Sequence, residues 1–326
     1  MLRGLSRILW ILAFTLCLAL PCSASFSTLL DLKRDSADAE LVCVGHAVFD
    51  DSNVDGIDNS PQMVVDFQVD RVLKGTLKPG SSIKISFKSG QQHFFGYDLV
   101  LLKKQGELYE FSRPEGSIAA SEAVRSEYRQ SDDVLANLRW EMINSLQDSS
   151  KWVVMSALEQ SSLLLPSDIG NFVGPKINDA NPRTRALAFQ AYLTAGVEAA
   201  VIPSLDLIEQ VEPSLKTSES KVPLSLIAKI KQFQIRPETV GSVASKLNSK
   251  CDLVRELASF MLRESKHKAA LPHLKRLLDD PSFEVRYNAV IGMAYILDDM
   301  SHAPSIDEFT SKEGSYIDYW KAKALN

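Results

Sequence analysis

Between residues 40 and 111 the apolar positions alternate. Met63, Val65, Phe67 and Val69 are interleaved with Asp66, Gln68 and Asp70, and Ile83, Ile85 and Phe87 with Lys84, Ser86 and Lys88. A period of two gives each segment one buried and one wet face, which predicts antiparallel strands. Denser apolar runs from Glu40 to Phe49 and from Tyr97 to Leu102 predict central strands, and Leu108 to Phe111 a short last one. Turn-forming residues separate them: Asp50 to Pro61, Lys74-Gly75 with Pro79-Gly80, Ser89-Gly90 and Gln105-Gly106. Five or six strands so connected predict a small, partly open barrel.

Past Arg113-Pro114-Glu115-Gly116-Ser117, which reads as a linker, the strand signals stop. Val124, Leu135, Leu138, Met142 and Leu146 fall at helical spacing once a polar stretch is passed, and a helix is expected to start near Asp132 or Asp133, whose carboxylate caps free N–H groups. Five basic residues, Lys151, Arg185, Lys221, Arg255 and Arg286, then recur at intervals of 34, 36, 34 and 31 residues, each opening an apolar-periodic run. Pro166, Pro203, Pro237 and Pro272 follow the first four by 15 to 18 residues. Proline suits the first turn of a helix because its missing N–H has no intrahelical partner there. Each unit is therefore helix, turn and returning helix. Such units cannot bury an apolar face alone and must stack on neighbours. The predicted class is multidomain α+β: a small antiparallel β-barrel (residues 25–112), a linker and entry helix (113–130), and an α-solenoid with a C-terminal cap (131–326).

A cation in the first turn of a helix opposes the macrodipole by about a few tenths of a kcal/mol, so something must offset it. Turn carboxylates, or carbonyls ending the preceding helix, are the natural partners of an arginine fork. Asp179 is accordingly paired with Arg185, and Asp279 or Asp280 with Arg286, as structural contacts, with Arg255 in the same role. The aromatic tail Tyr316-Ile317-Asp318-Tyr319-Trp320 reads as the cap over the last apolar face.

In AALPHLKRLLDDPSFEVRYNAVIGMAYIL (Ala269 to Leu297), helix, Asp-Pro turn, Val-Arg and a small alanine follow the order of the HEAT-repeat family, and the array resembles its short bacterial form. LVRELASFML and PRTRALAFQAYL are partial matches, whereas Lys151 and Lys221 depart from the arginine. Tetratricopeptide repeats share the period, but their aromatic and glycine positions are missing. In the first half, VLKGTLKPGSSIKISF and GYDLVLLKKQGELYEF resemble an OB-like domain similar to tissue inhibitors of metalloproteinases. Those inhibitors act through a mature N-terminal cysteine; here the expected mature chain begins Ser25-Phe26, so inhibition is not implied.

The N-terminus sets the compartment. Arg3 and Arg7 precede an apolar run from Ile8 to Leu20 and the small residues Cys22-Ser23-Ala24, the three-part plan of a secretory signal peptide cut after Ala24. The run is shorter than the roughly 18–20 residues a bilayer span needs, so no membrane span is expected in the mature chain. Pro21 disfavours lipid attachment at Cys22. Removing residues 1–24 changes the net charge from −5 to −7, which argues against nucleic-acid binding. Cys43 and Cys251 remain, one in each half, and read as small buried hydrophobes rather than a disulfide framework.

Candidate chemistry is sparse. Asp51, Asn53 and Asp55 with Gly56 match the opening of a calcium loop, but Gln62 stands where a bidentate glutamate belongs, so a solvated acidic hairpin is the expectation. His46, His93, His267, His273 and His302 show no zinc-binding spacing, and no nucleophile motif, P-loop or dinucleotide fingerprint is present. No cofactor is expected. A basic cluster, Arg263, Lys266, His267, Lys268, Lys275 and Arg276, would meet an acidic partner or phospholipid heads, or form a solvated face. The resulting expectation is an exported, non-enzymatic binding or scaffold protein with two contact sites for a protein partner in the cell envelope or outside the cell. The alternatives are an extracellular-hydrolase inhibitor acting through the barrel, and an enzyme with a pocket on the array.

Overall fold

The computed structural model describes residues 30–48, 62–88, 96–113, 117–124, 131–215 and 224–323. The leader with Cys22, the Asp51–Asp55 loop, His93 and Lys221 lie outside them. The chain divides after Asn144 into two compact units.

The first unit opens with a helix missed by the sequence reading, α1 (Leu32–Asp38), capped by the Asp31 carboxylate on the Arg34 N–H. The strands follow: β1 (Leu41–Val48), β2 (Gln62–Lys74), β3 (Ser82–Lys88), β4 (Tyr97–Gln105), β5 (Leu108–Phe111) and β6 (Ser117–Ala119). Their order is β1-β2-β3-β5-β4, and β1 pairs back onto β4 from Leu41↔Leu102 to His46↔Tyr97, so five strands close a barrel. This is the strand order of an OB barrel. Closure is complete rather than partial, and β3 and β5 run parallel, with Ile85 opposite Tyr109. The stretch taken for linker also contributes: β6 pairs along the first half of β4, beside the segment that β1 covers on its other edge.

Alternation fills the interior as expected. Cys43, Val65, Phe67, Val69, Ile83, Ile85, Val100 and Leu102 form one buried cluster. The pairing register shifts twice. Opposite β1, the pairing skips Asp70 and Leu73, so Val44 faces Arg71 and Cys43 faces Val72. A bulge re-aims the side chains that follow it. Val72 therefore takes the inner face, and Arg71 points outward.

There Arg71 meets α2 (Val134–Ser145), whose first turn is capped by Asp133 Oδ1 accepting from the Leu135 N–H at 2.9 Å. Arg71 holds both oxygens of Glu141, Nε to Oε1 at 2.9 Å and Nη2 to Oε2 at 3.0 Å, and donates to Ser121 O at 2.7 Å. Burial pushes the Glu141 carboxyl up, against the opposing pull of Arg71. One turn to either side of Glu141, Asn137 donates to Leu73 O and Asn144 to Ala123 O. Helix 134–145 therefore belongs with the barrel, and the boundary falls some fourteen residues later than the expected 130/131. A docking stripe of Asn, Glu and Asn has no hydrophobic signature, which is why the sequence placed α2 with the array.

Among the described residues the second unit holds five helix pairs. The first helices are α3 (Lys151–Glu159), α5 (Pro182–Thr194), α7 (Leu224–Gln232), α9 (Asp252–Ser265) and α11 (Phe283–Ile296). The second helices are α4 (Pro166–Asp168, continued by a π turn and a 3-10 turn to Asn178), α6 (Val201–Leu215), α8 (Val240–Ser245), α10 (Leu271–Arg276) and α12 (Ile306–Ala322). The four prolines lie in or beside the first turns of second helices. One apolar cluster runs continuously from Ala186 to Trp320, and Phe309 and Trp320 of α12 are fully buried at its end. Each pair packs on the next, so the unit is an α-solenoid, with α12 as its cap.

Candidate functional site

Three arginines do the same thing in three units. Arg185, Arg255 and Arg286 each occupy the fourth position of a first helix, and each donates Nη1 to the carbonyl six residues earlier: Asp179 at 2.9 Å, Ser249 at 3.0 Å and Asp280 at 2.6 Å. The other arm reaches 25 to 27 residues ahead, to Gln210 Oε1 at 3.0 Å, Asp280 Oδ2 at 3.0 Å and Glu313 Oε1 at 2.5 Å. Each fork thus ties the turn before its helix to the paired helix or to the turn that follows it. Similar spans of 24 and 25 residues join Glu159 to Arg183, Lys231 to Glu256 and Arg263 to Asn288. The side chains six residues before the arginines shape the turns: Asp179, Ser249 and Asp280 each accept the N–H two residues on, as does Asp148.

This geometry keeps the Asp179–Arg185 and Asp280–Arg286 pairings, through carbonyls rather than carboxylates, and overturns the equivalence of Lys151. The Asp179 carboxylate is used by the Asn181 N–H, so Arg185 takes only the Asp179 carbonyl. The Asp280 carboxylate pairs with Arg255, the arginine of the preceding unit, while Asp279 pairs with Lys321. Lys151 is not the counterpart of the arginines. It is the first residue of α3, and the fourth is the buried Val154. Counting six residues forward from Asp148, Asp179, Ser249 and Asp280 would have exposed this, because turn residues keep register better than basic ones.

The basic cluster is not one free face. The Arg263 guanidinium lies 4.4 Å from the Phe260 ring centroid and bonds Glu264 and Asn288, and Lys275 donates to Lys323 O at 2.9 Å. A His267 ring nitrogen sits 3.1 Å from Ile235 O. Lys266, Lys268 and Arg276 are exposed. At the cap, Asp299 accepts from Tyr319 OH at 2.6 Å, His302 Nδ1 at 2.9 Å and Lys323 Nζ. Lys323 foremost, then Tyr319 and His302, hold its carboxyl far below the usual range. The His302 ring stacks on Tyr319 at 3.5 Å, which places the tail's aromatics inside the cap.

On the barrel, His46 Nδ1 lies 3.2 Å from Asp70 Oδ2 beside the Tyr97 ring. Cys43 and Cys251 are both buried, and burial pushes the Cys43 thiol up to about 12. Among the described residues no group of three or more His, Cys, Asp or Glu side chains is placed to hold a metal ion, and no helix is long and apolar enough to cross a membrane. What the second unit leaves outward is apolar as well as polar: Trp152, the second residue of α3, is 67% exposed.

Fold and side chains together define a two-unit protein, an OB-type barrel followed by a stapled α-solenoid. No family model and no curated protein matches the chain. Among solved structures it is similar to a designed armadillo repeat protein, YIII(Dq)4CqI, at 16% identity over 49% of this chain and 82% of that one, with a TM-score of 0.31. That superposition is too loose to bear on fold or function.

Proposed function

We propose that this is an exported, non-enzymatic binding or scaffold protein whose array is built of HEAT-type repeats. Its barrel and array serve as two separate contact sites for a protein partner of the cell envelope or beyond it. The HEAT reading is supported by the turn acceptor followed six residues later by an arginine. Export rests on the leader pattern in residues 1–24. The observation that carries the binding reading is Trp152. Trp152 leaves most of a large apolar side chain in water, and tryptophan is enriched among residues that dominate interface energies. Two sites on one chain raise avidity without high affinity at either.

The test is capture from an envelope extract by the full-length mature chain and by its Trp152→Ala variant. Expected is a partner whose recovery falls about tenfold in the variant, the loss of about 1.4 kcal/mol. Equal recovery of every captured protein by both forms would refute the reading. Fractionation, with a mature mass beginning at Ser25, checks the export component.

A further inference from the structure

The first helices of the second, fourth and fifth pairs end alike, with the chain turning through the left-handed region at Gly196 (φ 76°), Lys266 (φ 56°) and Asp298 (φ 53°). Glycine adopts this conformation freely and aspartate tolerates it, whereas a lysine there is strained. A cation is favoured at a helix C-terminus, but any position of the last turn would supply it without a left-handed backbone. Its side chain is exposed, with Nζ 5.7 Å from the ring centroid of Tyr295 on the next first helix. Tyr295 is itself 37% exposed, and Met300, in the 3-10 turn packed against the same helix, is 56% exposed. Lys268 stands exposed two residues beyond Lys266. Unlike Arg263 and Lys275 of the same cluster, neither lysine is shown donating to a carboxylate or carbonyl.

We infer that Lys266, Lys268, Tyr295 and Met300 form a docking surface for an acidic protein segment bearing an apolar side chain. The lysines take its carboxylates, and Tyr295 with Met300 takes the apolar group. Charge complementarity selects the acidic segment. Asp298, exposed just past the end of the next first helix, confines the complementary charge to the Lys266 and Lys268 part of the surface, which suits a locally acidic segment and not a uniformly anionic lipid face. The inference rests on reading the array as a binding module and gives that module a partner chemistry. Its failure would leave the Trp152 capture result untouched.

The discriminating variant is Lys266→Gly, which relieves the backbone while removing the cation. A fluorescein-labelled, glutamate-rich peptide with a central phenylalanine is titrated against the full mature chain by anisotropy at physiological ionic strength. Phosphatidylglycerol vesicles form a second arm. The expected result is saturable peptide binding that weakens about fivefold or more in Lys266→Gly and in Tyr295→Ala. Lys266→Arg should keep most of the binding. Lys250→Ala, at the opposite end of α9, should leave it unchanged, and Lys266→Gly should melt a few degrees higher than wild type. The inference is overturned by absent peptide binding, by equal losses in Lys266→Gly and Lys250→Ala, by unchanged binding in Lys266→Gly, or by vesicle binding without peptide binding.

Discussion

Replacing Arg255 by alanine tests whether the repeat arginines hold the array together. The guanidinium donates to Ser249 O at 3.0 Å and to Asp280 Oδ2 at 3.0 Å, and the two side chains are only 9% and 8% exposed. Without Arg255 the Asp280 carboxylate keeps the Ser282 N–H but loses its charged partner in a nearly dry site, a change that costs about 3 kcal/mol. The unpartnered Ser249 carbonyl adds about 1 kcal/mol. The contact to Asp252 adds almost nothing, because that carboxylate is 80% exposed. The expected loss is therefore about 4 kcal/mol, a large share of the roughly 5–15 kcal/mol that stabilises a typical domain. Arg286→Ala should cost about half as much, since its pair with Glu313 is 19% and 29% exposed. Arg185→Ala should cost about 1 kcal/mol, since the amide of Gln210 is neutral. Lys at 255 keeps the charge but cannot serve carbonyl and carboxylate together, so about 1–2 kcal/mol is lost. Urea unfolding followed at 222 nm measures all four variants, with a constant m-value as the check that only stability changed. An Arg255→Ala value within about 0.5 kcal/mol of wild type, or a larger loss for Arg185→Ala, would refute the staple.

Three further outcomes follow. Gly45→Ala should cost at least about 2 kcal/mol or prevent the barrel from forming, because the added Cβ would lie 1.9 Å from Gln68 O beside the bulge; strand hydrogen exchange reads the effect. Thr184→Val should raise the urea midpoint, worth about 1 kcal/mol, since the Thr184 hydroxyl is buried with no hydrogen-bond partner and valine keeps its shape. For Asp35, burial pushes the carboxyl up, but Arg34, the Asp31 N–H and Arg113 outweigh it and hold it below its usual value. A lowered native pKa gives stability that is present above the unfolded value of about 3.9 and lost as pH falls through the native one. The deficit of Asp35→Asn should therefore be full at pH 7 and shrink only in acid, and a deficit that grows on acidification contradicts the assignment.

Period alone carried the barrel a long way. Strands β3 and β5 fall within a residue of the runs that predicted them, because Ile83, Ile85 and Phe87 can share a face only in extended chain. What period could not carry was anything polar. The bulge at Asp70 interrupts no hydrophobic run, yet it decides that Arg71 leaves the barrel wall and meets Glu141. Helix α1 is bound through charges that alternation ignores: Arg113 donates to Asp35, and Lys74 to Ser36 O and Ala37 O. Buried polar contacts of this kind set which element docks where, and their residues look like surface until the partner is in view.

In the array the same distinction separates what was legible from what was not. Arginine at a fixed place in each first helix was visible as a recurrence, and the need to offset an unfavourable dipole term correctly pointed to the turn. The choice between carboxylate and carbonyl was not visible, because it depends on the carboxylate being already committed to the N–H two residues on. Each turn aspartate gives its carbonyl to its own arginine, and the Asp280 carboxylate also reaches back to Arg255, through Oδ2 at 3.0 Å and more weakly through Oδ1 at 3.3 Å. Asp280 thus serves two successive units at once, whereas the residue six beyond Asp148 is the buried Val154 rather than an arginine. Between the first pair and its neighbour the Arg183–Glu159 contact, at 3.6 Å, is looser than the three forks. In a linear array, whose stability is set by nearest-neighbour interfaces, that pair should open first.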